Sequence, residues 1–240
     1  MKTLIAIALL VVSVCARPYG HGLSHRNPLL RYQHPESRSY DKSIRPNYNE
    51  EPAKVSVNIY FREIGPLNPE RDEVQIQMTF RQFYNDPRLQ HDKDAPITLV
   101  GEDAKRVWQP DTFFRFGRSS KIMQTFAPNQ LAKISAEGDV TLSTRLIHTT
   151  GCQGLGKAME LGQSISCPIE IASYGLSADD VEYVWQEGEE SPVKATDKQN
   201  MYLGNKFTFD GFEVNNKRLK TNTAEYSTLV VNLKLKSTST

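Results

Sequence analysis

Two stretches of the chain alternate strictly between apolar and polar residues. From Val55 to Phe61, valine, isoleucine and phenylalanine occupy every second position, with serine, asparagine and tyrosine between them. From Val74 to Phe80, apolar residues alternate in the same way with glutamine and threonine. A period of two is typical of a strand that buries one face. The pattern therefore predicts two half-buried β-strands.

Further segments of similar length continue this pattern. They are Leu131 to Ala136, Val140 to His148, Ile169 to Tyr174, Val181 to Trp185, Lys206 to Glu213 and Tyr226 to Leu235. Turn-forming residues lie between strands, as in Asn85-Asp86-Pro87, Glu137-Gly138-Asp139 and Glu187-Gly188-Glu189. Many short strands without a long helical period predict an all-β fold, a single antiparallel sandwich or barrel.

The two ends of the chain differ from this pattern. Residues 1–16 have a basic start, an apolar run and a small-residue cleavage pattern, which predicts a secretory signal peptide. Residues 17–39 are rich in His, Pro, Arg and Ser, so we expect a loosely ordered segment in which Leu23, Leu29 and Leu30 would anchor any short helix. Residues 236–240 form a polar tail.

Charge and histidine content exclude several kinds of partner. The chain has 29 Lys and Arg against 28 Asp and Glu, so no basic field points to nucleic acid. Three N-terminal histidines, His21, His25 and His34, match no metal-ligand spacing. We therefore expect no metal, no cofactor and no nucleic-acid partner.

Two cysteines remain once the predicted signal peptide, which contains Cys15, is removed. Cys152 and Cys167 have 14 residues between them. In an exported protein they most simply form one disulfide, which in the chain-entropy model contributes about 3 kcal/mol. Two free buried thiols are the alternative.

Catalytic machinery is not evident in the sequence. Residues 151–158 read GCQGLGKA, which misses a phosphate-binding loop because Ala158 has no hydroxyl for magnesium. Beyond the N-terminal segment the histidines are His91 and His148, and no G-x-S-x-G motif is present. We therefore predict that the protein is not an enzyme.

Some polar and aromatic residues suit a small ligand. Arg62 and Arg81 lie on the polar side of adjacent predicted strands, where guanidinium groups either bind a carboxylate or remain solvated. Phe113, Tyr174 and Tyr226 either belong to the core or surround an ammonium group. Spacing alone does not choose between these roles.

Residues 106–114 read RVWQPDTFF, which resembles the W-x-P-D-x-F-F segment of the Cys-loop neurotransmitter-gated ion channels. Other segments resemble the family in the same order, over residues 40 to 235: YDKSIRP at 40–46, VNIYFR at 57–62, TFRQFYNDPRL at 79–89 and the stretch 167–185. Residues 221–227, TNTAEYS, resemble the ligand-closing hairpin of invertebrate glutamate-gated chloride channels.

The resemblance implies a ligand-binding domain at residues 40–235, with a twisted immunoglobulin-like β-sandwich of about ten strands. It also implies rings of five subunits with ligand sites between neighbours. The implied ligand is a small amino-acid transmitter, with glutamate favoured. One subunit would supply Phe113, Ser173, Tyr174, Thr223 and Tyr226, and the next would supply Arg62, Arg81 and Ser143.

The chain departs from the family at two places. The segment between Cys152 and Cys167 is one residue longer than the family pattern and lacks the proline and aspartate of the turn that contacts the channel's membrane portion. Lys217 and Thr228 stand where glutamate-gated channels have a second cysteine pair, so we expect a looser hairpin.

These departures, together with a chain that ends near the expected first membrane helix, favour a secreted and soluble binding domain. Two alternatives stay open. In the first, the chain is the extracellular part of a channel subunit whose membrane helices follow it. In the second, it is a structural or interaction protein that kept the sandwich and lost the ligand. In the first of these it would lie on the outer face of the plasma membrane.

Overall fold

The computed structural model describes residues 40–188, 191–197 and 201–238. The predicted signal peptide and the predicted N-terminal segment, including its short helix, lie outside these ranges. Within them, no helix is long and apolar enough to cross a lipid bilayer.

Strands dominate the described part of the chain. In order they are β1 (Ala53–Asn68), β2 (Glu73–Asn85), β3 (Ile97–Val100), β4 (Thr112–Phe114), β5 (Gly117–Ile122), β6 (Gln130–Ile134), β7 (Asp139–Gly151), β8 (Ile165–Ser173), β9 (Val181–Trp185), β10 (Val193–Ala195), β11 (Phe207–Lys220) and β12 (Glu225–Ser237). One α-helix, α1 (Leu155–Leu161), and two 3-10 helices, Pro87–Leu89 and Gly101–Arg106, complete the described elements.

The strands form two sheets. The large sheet has eight strands in the order β10-β1-β2-β7-β6-β3, with β5 paired to β7 and β9 paired to β1. The small sheet has the order β11-β12-β8-β4. All pairings are antiparallel except those of β9 and β10 with β1. The predicted all-β, immunoglobulin-like sandwich is confirmed.

The core lies between the two sheets and follows the predicted alternation. The apolar residues of β1 from Val55 to Phe61 are at most 2 % exposed, and Ile76 of β2 is fully buried. The small sheet contributes Ile171 and other buried apolar side chains. The Phe61 ring stacks on Phe212 with centroids 4.7 Å apart, which joins the sheets directly. Each such side chain contributes about 1.5–3 kcal/mol through burial.

Four strands were not predicted from the pattern: β3, β4, β5 and β10 are all short. Every residue of β5 is exposed, so no apolar alternation marks it. It forms because its backbone pairs with β7, from Gly117 opposite Thr150 to Ile122 opposite Leu146. Backbone pairing with a neighbour, which leaves no trace in local composition, defines these edge strands.

The predicted disulfide between Cys152 and Cys167 is confirmed. The loop that it closes contains α1, which the sequence did not predict. The Asp72 carboxylate, in the turn between β1 and β2, accepts hydrogen bonds of 2.9 Å from the backbone N–H groups of Gly154 and Gly156. These bonds lower the pKa of Asp72 and satisfy donors at the start of the helix.

A buried polar cluster fixes the predicted turn at Asn85-Asp86-Pro87. The fully buried Asp86 carboxylate binds the Arg88 guanidinium through two contacts of 2.8 Å. It also accepts a 3.0 Å hydrogen bond from the Tyr40 hydroxyl, which in turn accepts one of 2.7 Å from the Trp108 backbone. Burial raises the pKa of Tyr40, so this hydroxyl stays protonated. The cluster attaches the first described residues to the segment that precedes β4.

A buried histidine predicts how stability depends on pH. His148 is fully buried, its Nδ1 lies 2.8 Å from the Ser120 hydroxyl, and its Nε2 has no hydrogen-bond partner among the described residues. Burial lowers the pKa of His148 to about 4 from an ordinary 6.5. Below pH 6.5 the unfolded chain therefore binds a proton that the folded protein takes up only near pH 4.

The free energy of unfolding should consequently fall as the pH falls through this window. We expect the wild type to lose about 2–3 kcal/mol more than His148→Gln between pH 7 and 4.5, measured by urea denaturation. The variant serves as the control, because the carboxylates that titrate in the same range are common to both proteins. The same pH dependence in both would contradict the assignment.

Candidate functional site

The eight predicted site residues divide between the two sheets. Those of the large sheet are Arg62 on β1, Arg81 on β2 and Ser143 on β7. Those of the small sheet lie on β4, β8 and β12 or in the loops beside them: Phe113, Ser173, Tyr174, Thr223 and Tyr226. The structure thus places three of the predicted residues on the large sheet, and five on the small sheet or in the loops beside it.

Arg81 is the central member of the first group. The strand register places it directly opposite Ser143 on one side and Asn58 on the other. Directly paired residues project from the same face of a sheet, so the guanidinium and the Ser143 hydroxyl are neighbours. Among the described residues, Arg81 donates one weak hydrogen bond of 3.4 Å, to the Asn58 side-chain oxygen, which leaves most of its donors without a partner there.

Arg62 lies near Arg81 because of a bulge in β1. The pairing of β1 with β2 shifts register between Phe61 and Glu63, which leaves Arg62 as the extra residue. Its Nε donates a 2.7 Å hydrogen bond to the Thr79 hydroxyl, two residues from Arg81 along β2. Its guanidinium lies 5.4 Å from the Tyr60 ring centroid. Both arginines therefore lie on the same face of the large sheet.

A cavity of about 400 Å³ lies beside Arg81. Its walls include Asn58 and Tyr60 of β1, Arg81 of β2, and Pro192 and Lys194 of the segment around β10. This volume falls within the range of small-molecule sites. The arginine at its wall suits a carboxylate, since a guanidinium binds one through two parallel hydrogen bonds.

The aromatic residues meet at one end of the small sheet. Phe113 pairs with Ala172 in the ladder between β4 and β8, and its ring contacts Tyr174 edge-on with centroids 5.5 Å apart. Thr228 of β12 pairs with Ala172 from the other side. Tyr226 lies two residues before Thr228 on β12, at the end of the strand next to the hairpin turn. Phe113 and Tyr174 are therefore in ring contact, and Tyr226 lies at the same end of the sheet.

An acidic residue that sequence reasoning missed holds the loop that carries Tyr174. The Asp111 carboxylate accepts a 2.5 Å hydrogen bond from the Ser173 hydroxyl and a 2.6 Å bond from the Gly175 backbone. The Leu176 backbone donates to Ser173 at 2.7 Å. Ser173 is only 3 % exposed, and its hydroxyl stabilises the loop through these hydrogen bonds. The aspartate of the W-x-P-D motif was the signal for this role.

Thr112 connects the aromatic end to the other sheet. Its hydroxyl lies 2.5 Å from the Gln82 side-chain oxygen on β2 and 2.7 Å from the Tyr183 hydroxyl on β9. Burial raises the pKa of Tyr183, so its hydroxyl remains a neutral partner. These hydrogen bonds fix β4, and with it Phe113, between the two sheets.

The hairpin of β11 and β12 ends in a turn that exposes Thr223. The Thr221 hydroxyl accepts hydrogen bonds of 3.2 Å from the backbone N–H groups of Thr223 and Ala224, which closes the turn. Further along, Lys217 lies directly opposite Thr228, and its ammonium group binds the Glu170 carboxylate at 2.5 Å. An ion pair to β8 thus holds the hairpin.

Comparison with known proteins identifies the domain. The profile of the family described as "Neurotransmitter-gated ion-channel ligand binding domain" matches residues 31–237. The chain belongs to this family. The predicted resemblance to Cys-loop receptors is confirmed, and this is a family of receptors rather than enzymes.

Curated relatives share this domain. A glutamate-gated chloride channel of Drosophila melanogaster is 34 % identical over 204 residues, which cover 82 % of this chain and 43 % of that protein. The gamma-aminobutyric acid receptor subunit gamma-3 of Homo sapiens is 29 % identical over 199 residues, covering 82 % and 42 %. The gamma-aminobutyric acid receptor subunit alpha-2 of Bos taurus is 28 % identical over 201 residues, which cover 82 % of this chain and 43 % of that protein. The chain spans less than half the length of these relatives.

The ligand-binding domain should depend on Asp111 for the geometry of its aromatic end. We expect Asp111→Ala to destabilise the fold by about 1–2 kcal/mol, because two hydrogen bonds to a charged acceptor are lost. The Gly175 amide should exchange its hydrogen faster than in the wild type, measured by mass spectrometry or NMR.

Asp103→Ala is the matched control, because Asp103 is an exposed acid paired with Arg106 at 3.4 Å. Its removal should change stability by less than about 0.5 kcal/mol. Unchanged protection of Gly175 in Asp111→Ala would show that the carboxylate does not hold the loop.

Proposed function

We propose that the domain binds L-glutamate at a site formed between two neighbouring copies of the chain. The observation that carries the proposal is the division of the site residues between the sheets. The arginines and Ser143 lie on the large sheet, and the aromatic residues lie at one end of the small sheet. In a ring of identical subunits, the small-sheet end of one copy would face the large-sheet surface of the next.

The chemistry of the two faces suits an amino acid with a second carboxylate. Arg62 and Arg81 each offer a guanidinium fork to a carboxylate. Phe113, Tyr174 and Tyr226 offer ring faces to an ammonium group, and Tyr174 is 77 % exposed, so its ring is accessible. The Drosophila relative is a channel described as glutamate-gated, which agrees with this assignment.

Other transmitters satisfy fewer of these groups. GABA and glycine carry one carboxylate, which leaves one arginine without a partner. Histamine carries none, which leaves both without one. Binding free energy is lost when a ligand covers an arginine without supplying a counter-ion. We therefore expect the affinity of the transmitters to increase with their number of carboxylates.

We further propose that the protein acts outside the cell as an assembly of five copies. Residues 1–16 carry the features of a signal peptide. A disulfide between Cys152 and Cys167 is typical of an oxidising compartment. An extracellular assembly that binds a transmitter meets these conditions.

Replacement of Arg81 tests the assignment. We expect Arg81→Ala to weaken L-glutamate binding at least about 100-fold, because a charged bidentate contact is lost. The measurement is calorimetric titration of the mature protein, with oligomer size recorded on the same sample and GABA, glycine and histamine as comparators.

Arg106→Ala is the control for this titration, because Arg106 pairs with Asp103 away from both groups of site residues. It should bind glutamate as the wild type does. Unchanged affinity in Arg81→Ala would refute the site, whereas a wild-type pentamer that binds no transmitter would favour a structural or interaction role for the sandwich.

A further inference from the structure

A second cavity, of about 450 Å³, lies within a single copy of the chain near the disulfide loop. Its lining includes three arginines, one acid and two neutral polar residues: Arg71, Arg115, Arg118, Asp72, Gln153 and Ser166. None of the eight residues of the transmitter site is among its lining residues. The cavity therefore shares no lining residue with that site.

The arginines of this cavity lie within ion-pair distance of two buried carboxylates. Arg71 and Arg118 approach the Glu73 carboxylate, with Nε to oxygen distances of 3.3 and 4.0 Å. Arg115 binds Glu170 at 3.0 Å. The Glu73 and Glu170 side chains are 11 % and 8 % exposed. The Arg115 guanidinium is therefore positioned by a hydrogen-bonded ion pair, whereas the mostly exposed side chains of Arg71 and Arg118 lie close to the Glu73 carboxylate.

These ion pairs leave an excess of positive charge at the cavity. Glu73 lies within ion-pair distance of Arg71 and Arg118, and Glu170 pairs with both Arg115 and Lys217. Each arginine uses one nitrogen in its pair, and a guanidinium carries five N–H donors on three nitrogens. Several donors of the cavity wall are thus free to bind further oxygen atoms.

The acid in the wall is already hydrogen-bonded to the backbone. Both oxygens of Asp72 accept backbone hydrogen bonds, from Gly154 and from Gly156. Asp72 keeps its negative charge, so Asp72, Glu73 and Glu170 offset three of the four cations at the cavity, and one positive charge remains in excess. Gln153 and Ser166, both exposed, add neutral side-chain donors to the lining.

We propose that this cavity binds a small oxyanion with two negative charges, such as a phosphate or a dicarboxylate. The three guanidinium groups of the wall can provide the parallel N–H pairs that both anions accept. The volume accommodates an anion with a few carbon atoms as well as inorganic phosphate. The site is complete in one chain, so it does not depend on the proposed glutamate site or on the assembly of a ring.

The test uses the intact mature protein and two probes, inorganic phosphate and succinate, in separate calorimetric titrations. We expect saturable binding of at least one of them at one site per chain. Arg118→Gln should weaken that binding by about tenfold or more, because a charge-assisted contact is lost. Arg118 is the suitable position, because its side chain is 61 % exposed and Glu73 keeps Arg71 as a partner.

A second variant guards against a folding defect. Ser166→Glu adds a negative charge to the wall at an exposed position and should also abolish binding. Arg106→Gln, on the surface elsewhere, should leave it unchanged.

Four outcomes decide the question. Phosphate binding alone identifies a phosphate site, and succinate binding identifies a dicarboxylate site. Absence of saturable binding of both probes, or loss of binding in Arg81→Ala with Arg118→Gln unaffected, would overturn the proposal. Loss of binding in Arg81→Ala with Arg118→Gln unaffected would place the anion in the transmitter site.

Discussion

The carboxylate of Asp111 is the constraint on which the aromatic end of the domain depends. It binds the Ser173 hydroxyl and the Gly175 backbone, and so fixes the loop on both sides of Tyr174. The next residue, Thr112, hydrogen-bonds to Gln82 and Tyr183 of the large sheet. The one after that, Phe113, contacts the Tyr174 ring. Three consecutive residues thus position the loop, the strand and the aromatic surface.

The sandwich explains why one chain presents two different faces. The large sheet carries guanidinium groups, whose positions follow from strand register and from one bulge at Arg62. The small sheet carries aromatic rings, placed by the ladders of β4, β8 and β12. Neither set alone matches an amino acid with two carboxylates and an ammonium group. The proposed role between neighbouring copies follows from this complementarity.

The sequence predicted those elements whose burial produces a local pattern of apolar and polar residues. The alternation in β1 and β2 reports one-sided burial, so those strands were identified. β5 was missed because all of its residues are exposed. α1 was missed because its first N–H groups are satisfied by Asp72, more than 80 positions away in sequence. The site residues came from a family resemblance, whereas the role of Asp111 needed the loop geometry. That a ligand contacts Ser173, Thr223 and the arginines stays a prediction.

Mixing two defective variants tests the central claim, a glutamate site shared between copies, most directly. Arg81→Ala lacks the arginine face and Tyr226→Ala lacks part of the aromatic face, so neither should bind glutamate alone. Co-expressed in one assembly, they should regain binding at the interfaces where both faces are intact. Recovery of a fraction of the wild-type sites, at wild-type affinity, is the predicted result. Mixed assemblies that form and bind no glutamate, beside a wild type that does, would contradict the account.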